Sequence, residues 1–435
     1  MWILVSLLAI AVSFAVVLRQ MCALGEDNVS RALILLIWGR FALTALGEPA
    51  QSTVVAGQSL LALGTFVAVM VVLLLMPVGS LRRPRLMPFA VMAAVVLLSA
   101  MLNGQMSALL NTCTLWIMFI LIVVLTNRAL HIHGIRAVLG CLLATFSLPI
   151  ALQFAAVLLG QSLIGQDGSV SYVGNYVHEA VFSTVALCAV WLVTVYPWRK
   201  RSWLLLAFAM VLSSMLLANY RTLILACLPP LIAVIIQVSG GNGQAGRPVI
   251  PLIAGLALAL AALTVLPPER FTELGTVIGQ LGELAKPAKE FSAAEKDILS
   301  ARVYIGAAYL DEYAQADLVR QLIGFGPEAD TGFIGTHPHN EFLRIFFETG
   351  IVGLLLWLGI LGSLVSVTLR RAPRPANAIL TSGYGALIIG GLGTSFFIRP
   401  EGIIFVALLV SITWYLTERQ TDGRILHRMD EAPLP

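Results

Sequence analysis

The strongest constraint on this chain is a succession of long apolar runs with almost no charge inside them. They fall near 1–18, 32–46, 53–76, 86–102, 106–125, 135–160, 177–196, 202–218, 222–238, 249–266, 347–369, 376–397 and 402–417. A run of about 20 apolar residues in a helix spans the hydrocarbon core of a bilayer. Apolar residues make up 58% of the 435 and charged residues only 11%. A soluble domain carries about a quarter charged residues, so this chain lacks the polar side chains to cover a globular surface. The expected fold is an all-α polytopic membrane protein.

The run at 32–46 is short and contains Arg40. A charge at mid-span costs about 2.5–3.5 kcal/mol on insertion scales. That run therefore reads as a partial, tilted or functional helix, and the count is about 12 spans, or 13 with it. Residues 1–18 have no basic residue before the apolar run, so they read as a retained span and not a cleaved signal. The cysteines Cys22, Cys113, Cys141, Cys188 and Cys227 form no CxxC and no Cys/His cluster, so they read as small hydrophobes and support neither a zinc site nor a disulfide framework.

Orientation follows from the loops. Arg82, Arg83 and Arg85, then Arg128 and Arg136, Arg199 to Arg201, Arg247, and Arg370, Arg371 and Arg374 make every second loop basic; the tail adds Arg419, Arg424 and Arg428. The loops between them, 47–52, 103–105 and 161–176, carry no Lys or Arg. Basic loops stay in the cytoplasm, which puts the long polar stretch 267–348 on the opposite face. That stretch holds 13 acidic and 7 basic residues, a net of −6, and more than half of the chain's 23 acidic residues. The expected organisation is transmembrane helices over 1–266, an outer loop domain over 267–345, further transmembrane helices over 346–418 and a cytoplasmic tail over 419–435. Within the loop, Val303, Ala307, Leu310, Ala314, Leu318 and Leu322 recur every three or four residues, which predicts a helix over 303–322. Gly324-Phe325-Gly326-Pro327 predicts a turn after it.

The densest cluster of reactive side chains is Thr336-His337-Pro338-His339-Asn340-Glu341-Phe342-Leu343-Arg344, where the loop meets the next span. A histidine there can exchange a proton near neutral pH, although a lone loop histidine is most often simply solvated. Pro338 restricts the backbone, and Asn340 is placed to cap the following helix. Arginines also stand at outer span ends against the positive-inside bias: Arg221, Arg302, Arg320, Arg344 and Arg399. Arginine binds phosphate in bidentate fashion; the plainer alternative is an ion pair with the acidic loop or a lipid headgroup. Glu348 stands four residues after Arg344, at ion-pair spacing. There is no GxxxxGK[ST] and no paired acidic motif for a metal.

His339-Asn340-Glu341-Phe342-Leu343, followed by Glu348-Thr349-Gly350-Ile351-Val352-Gly353-Leu354, resembles the signature of the O-antigen ligase/polymerase superfamily, in which a long periplasmic loop ends in a His-Asn or His-Ser pair. Tyr220-Arg221-Thr222 resembles that family's arginine at an outer span end, and Ser300-Ala301-Arg302 with Gly324-Phe325-Gly326 resembles its loop arginine and Gly-x-Gly turn. The specific motifs cover about 218–223 and 300–354, and the likeness is greatest to the ligase. His337 is a departure, because it makes the segment His-Pro-His.

The resemblance implies a GT-C-like enzyme of the bacterial inner membrane with its active site on the periplasmic side. The donor would be a glycan on undecaprenyl pyrophosphate, and the acceptor a sugar hydroxyl of lipid A–core oligosaccharide. His339 would be the base, Arg221 and Arg302 would bind the pyrophosphate, and His337, Asn340, Arg344 and Tyr220 would support them. Transfer would be inverting, with no metal, ATP or other cofactor, and the partners would be these substrates and membrane lipids, with no nucleic acid. A polymerase on the same scaffold, extending lipid-linked repeat units, is the alternative. A lipid-linked glycan transporter is the reading from another class, with Arg40 and the Pro229-Pro230 interruption in its favour.

Overall fold

The computed structural model of the chain describes residues 2–55, 58–165, 169–239, 286–296, 301–329, 335–373 and 375–421. The apolar run 249–266, the Pro267-Pro268 opening, Arg247, Ser300, Arg374 and the tail beyond Thr421 lie outside the described residues.

Almost every apolar run becomes a helix, because a segment without polar side chains satisfies its backbone only internally. Trp2–Met21, Asn28–Thr44, Leu60–Leu75, Met87–Leu102, Met106–Thr145, Ser147–Leu158, Glu179–Val195, Arg201–Ala218, Leu228–Ser239, Glu341–Arg371, Ala376–Gly391 and Pro400–Thr421 are the main ones. Among the described residues, seven helices are long and apolar enough to cross a membrane. The only sheets there are two antiparallel hairpins, Thr53–Val55 with Gln58–Ser59 and Leu163–Ile164 with Val170–Ser171.

Several expectations change in detail. The run at 53–76 opens as a hairpin, and its helix starts only at Leu60, where Ser59 caps it through the amide of Ala62. The loop expected between 125 and 135 is helical, and the two runs form one helix broken at Gly134, whose φ of 78° is outside the helical range. The run with Arg40 is a complete helix that starts at Asn28, with Asp27 accepting from the amides of Val29 and Ser30. Arg40 is buried and donates to Glu401 at 2.9 Å and to Thr65 Oγ1 at 3.0 Å. A buried charge needs such a partner, and this one ties the second apolar run to the last. Of the cysteines, Cys141, Cys188 and Cys227 are buried, Cys113 is half-buried and Cys22 is exposed.

Glu179–Val195 and Pro400–Thr421 are buried on nearly every face. They have no polar stripe, which is the pattern of an innermost helix. Trp2–Met21, Leu60–Leu75 and Arg201–Ala218 lie outside them and expose large apolar side chains such as Leu4, Leu8, Leu74 and Leu206.

The helix predicted over 303–322 is in fact two, Arg302–Ala314 and Leu318–Ile323. The first ends at Ala314, and Asp317 starts the second by accepting from the amide of Arg320. A small satellite core of Ile305, Tyr309, Phe325, Ala329 and Phe347 packs this region onto helix Glu341–Arg371. Phe325 and Phe347 stack with ring centroids 4.3 Å apart.

Gly324 to Gly326 is more than a turn, because it is extended along a break in that helix at Gly350. Phe325 and Gly326 donate their amides to the carbonyls of Phe347 (2.9 Å) and Glu348 (3.1 Å). Asn103, just after helix Met87–Leu102, and Ser99 within it hold the Gly324 and Glu348 carbonyls from the other side. Gly324 (φ +90°) and Gly350 (φ +66°) make the approach, and a Cβ on either would sit 2.3 Å from backbone of the other strand of this contact. Gly324→Ala is therefore expected to cost about 1–3 kcal/mol from backbone strain alone, read as a lower Tm. An unchanged Tm would mean that this contact does not hold the loop.

Candidate functional site

The site is assembled at one end of the bundle from four separate stretches of chain. The first is the turn between helix Arg201–Ala218 and helix Arg221–Ala226, made by Asn219 in the left-handed region (φ 56°) and by Tyr220. The second is the start of helix Arg302–Ala314, where Ala301 also takes a left-handed φ of 64°. Arg302 donates from Nη1 to Thr222 Oγ1 (3.1 Å) and from Nη2 to Tyr220 Oη (3.3 Å). The loop arginine and the span-end tripeptide are thus one structure. Arg221 opens its helix between the two residues that hold Arg302, and it is half-buried.

The third stretch is the segment before helix Glu341–Arg371. Tyr309 Oη donates to the Thr336 carbonyl at 2.6 Å and fixes the start of Thr336-His337-Pro338-His339. Asn340 caps the helix, with its side-chain oxygen accepting from the amides of Phe342 (3.0 Å) and Leu343 (3.1 Å). His339 reaches that cap through a φ of 48°. A side chain in the left-handed region costs roughly 1–2 kcal/mol, and such strain concentrates where a group must be held at one place.

The fourth stretch is the turn from Gly393 to Arg399 that leads into helix Pro400–Thr421. Tyr220 donates its hydroxyl to the Gly393 carbonyl, and a Cβ on Gly393 would lie 2.3 Å from the Thr222 side chain. This packing brings Arg399 into the site.

His339 is half-buried. Burial, then the fields of Arg302, His178, His337 and Arg399, hold its imidazole down at about 4. It is therefore neutral at pH 7, with a free nitrogen lone pair. His178 is held below its usual value by burial and by Arg399, with Glu179 acting the other way. It caps helix Glu179–Val195 by accepting at Nδ1 from the Ala180 amide (3.1 Å). Arg399 is pushed down by burial, while Glu401, Tyr220 and Glu179 favour its charge.

Arg344 forms the ion pair with Glu348 that its spacing predicts. It lies in a buried triad, with Nη2 2.7 Å from Glu341 Oε1 and Nη1 bonded to Glu348. Glu341 also accepts from the amides of Phe396 (2.8 Å) and Phe397 (3.5 Å). Arg344 thus braces the turn that carries Arg399 and has its charge committed to two carboxylates. The structure brings His339, His337, Arg302 and Tyr220 together and places Arg221 and Asn340 beside them. His178, Thr222, Glu179 and Arg399 were not selected from the sequence. The signal for two of them was present: Arg399 is one of the arginines at a span end, and His178 stands at the start of the apolar run 177–196.

No family model matches this chain, and no curated protein matches it either. The functional reading therefore rests on the chain's own residues and on the resemblance in its motifs.

Proposed function

We propose that the protein is an O-antigen ligase of the bacterial inner membrane, with about 12 spans and its site on the periplasmic side. It would transfer a glycan from undecaprenyl pyrophosphate to a sugar hydroxyl of lipid A–core oligosaccharide. The observation that carries this reading is a half-buried imidazole, His339, in the field of Arg302 and Arg399, which hold it neutral at the end of an apolar helix bundle. A neutral base takes a proton from a hydroxyl, and fixed cations take up the charge that develops on a leaving phosphate. An apolar bundle beside them gives a prenyl chain its place.

In the proposed step the acceptor oxygen attacks the anomeric carbon from the face opposite the pyrophosphate. The new C–O bond forms as the bond to the pyrophosphate oxygen breaks. The bonding pair leaves on the pyrophosphate, beside Arg302 and Arg221, and the hydroxyl proton goes to His339. One displacement inverts the anomeric carbon. Pyrophosphate is itself a good leaving group, so the step requires no nucleotide.

A bound pyrophosphate offsets the arginine charges that depress His339, and so raises its proton affinity. The acid limb of kcat/KM, which reports the free enzyme, is expected near pH 4, and the limb of kcat at a higher pH. Coincident limbs would argue against His339 as the base. Arg40, the residue that favoured the transporter reading, is paired with Glu401 and Thr65. To separate ligase from polymerase, the purified protein is given lipid-linked glycan with lipid A–core and no nucleotide. Ligated core is expected; extended lipid-linked chains without ligated core would replace this reading with the polymerase.

A further inference from the structure

Beside the site is a small internal cavity between helix Glu179–Val195 and the turn into helix Pro400–Thr421, lined by Thr184, Thr394, Ser395, Arg399 and Glu401 among others. The space open to a water's centre is about 10 Å³, which is one water's worth. Two buried polar atoms on its lining residues, Glu401 Oε2 and Ser395 Oγ, have no hydrogen-bond partner among the described residues. Glu401 is 2% exposed and Ser395 8%. An unpartnered buried carboxylate oxygen is costly, so a group that bonds to it belongs there. Arg399 lines the same cavity and makes no side-chain hydrogen bond of its own among the described residues. The other oxygen of Glu401 is taken by Arg40 at 2.9 Å.

We propose that this cavity binds one internal water that joins Glu401 Oε2, Ser395 Oγ and the Arg399 guanidinium, and that Glu401, anchored by Arg40, is thereby the positioning residue for Arg399. Three partners are what an internal water ordinarily has. A glutamate is needed because burial opposes the charge of Arg399. The groups whose fields reach Arg399 itself are Glu401, Tyr220, Arg40 and Glu179. Glu401 is the acidic member that shares the cavity, so without it the buried guanidinium loses that compensating charge and turns away. The Arg40–Glu401 ion pair thus reaches the reacting end through one carboxylate, with Oε1 bound for structure and Oε2 for the site. The part this plays in turnover rests on the transferase reading, while the placement of Arg399 does not.

The test is a double variant, Arg40→Met with Glu401→Leu, because replacing both members of a buried ion pair by apolar side chains commonly leaves a protein folded. His339 is followed by NMR of ¹³C-labelled histidine, with its resonance assigned by its loss in His339→Ala. The swap removes one positive and one negative charge together, so it adds no net field. The expected result is a folded double variant in which His339 titrates at a higher pH than in the parent, because Arg399 has left it. Transfer falls about 100-fold, the scale of losing one fixed donor at a developing charge. Ser395→Ala is the second arm: it leaves every charge in place and removes one partner of the water, and a smaller upward move of His339 is expected. A folded double variant with the parent's His339 titration overturns the positioning role and leaves the ion pair structural. Parental titration in Ser395→Ala overturns the water, and this arm decides if the double variant does not fold. If the parent shows no transfer, the titrations still decide the placement.

Discussion

His339→Ala is expected to lower glycosyl transfer by about 10²–10⁴-fold, the range for loss of a positioned general base, with little change in Tm. Two features separate this from a folding defect. The imidazole takes no hydrogen bond that closes the helix end, because Asn340 does that with its own side chain. Removing the side chain also relieves a buried imidazole of its neighbours' charge. The linkage sign is definite: folding depresses His339 from 6.5 to about 4, so the unfolded chain binds more protons between those values. The stability attached to His339 is present above pH 6.5 and lost as pH falls toward 4, and the alanine variant should lose less stability over that window. If instead His339→Ala keeps parental transfer, then His337, two residues away and also in the field of His339, becomes the base to test.

The second large effect is on stability. Arg344→Ala is expected to cost about 3–5 kcal/mol, because it leaves Glu341 and Glu348 buried with their charge uncompensated. Glu341 is 2% exposed and Glu348 5%, so water cannot take over. The loss should spread to the turn at Phe396 and Phe397, whose amides Glu341 holds. Arg344→Lys should recover only part of this, since one ammonium cannot reproduce the fork that engages both carboxylates. Thermal unfolding in detergent measures it, and a parental Tm for Arg344→Ala would show that the triad is not a brace. Loss of transfer in this variant is therefore expected to follow loss of fold, in contrast to His339→Ala.

Much of the architecture is legible in the sequence because it depends on short-range patterns. Apolar runs mark helices, Asn340 stands one residue before an apolar periodicity, and Arg344 and Glu348 have the spacing of one helical turn. The motif resemblance assigned Arg221 and Arg302 to one ligand, but the contact of Arg302 with Thr222, 80 residues away, was not legible. The partner of Arg40 was not legible, because Glu401 is 361 residues away and nothing local connects them. Arg399 and His178 were visible as residue types at span ends, but only the packing of Gly393 against Thr222 brings the turn before Arg399 into the site. The helix over 303–322 was read too long because apolar periodicity continued through Asp317, whose capping bond restarts the helix there.

The central claim is that this bundle end forms a glycosidic bond from a prenyl-pyrophosphate donor. The most direct measurement uses the purified protein in lipid vesicles with glycan on undecaprenyl pyrophosphate and lipid A–core acceptor, and follows released undecaprenyl pyrophosphate together with ligated product. The account predicts one pyrophosphate lipid released for each glycan joined, with both lost in His339→Ala and sharply reduced in Arg302→Ala. Intact donor that only moves from one leaflet to the other, with no bond broken, would contradict it.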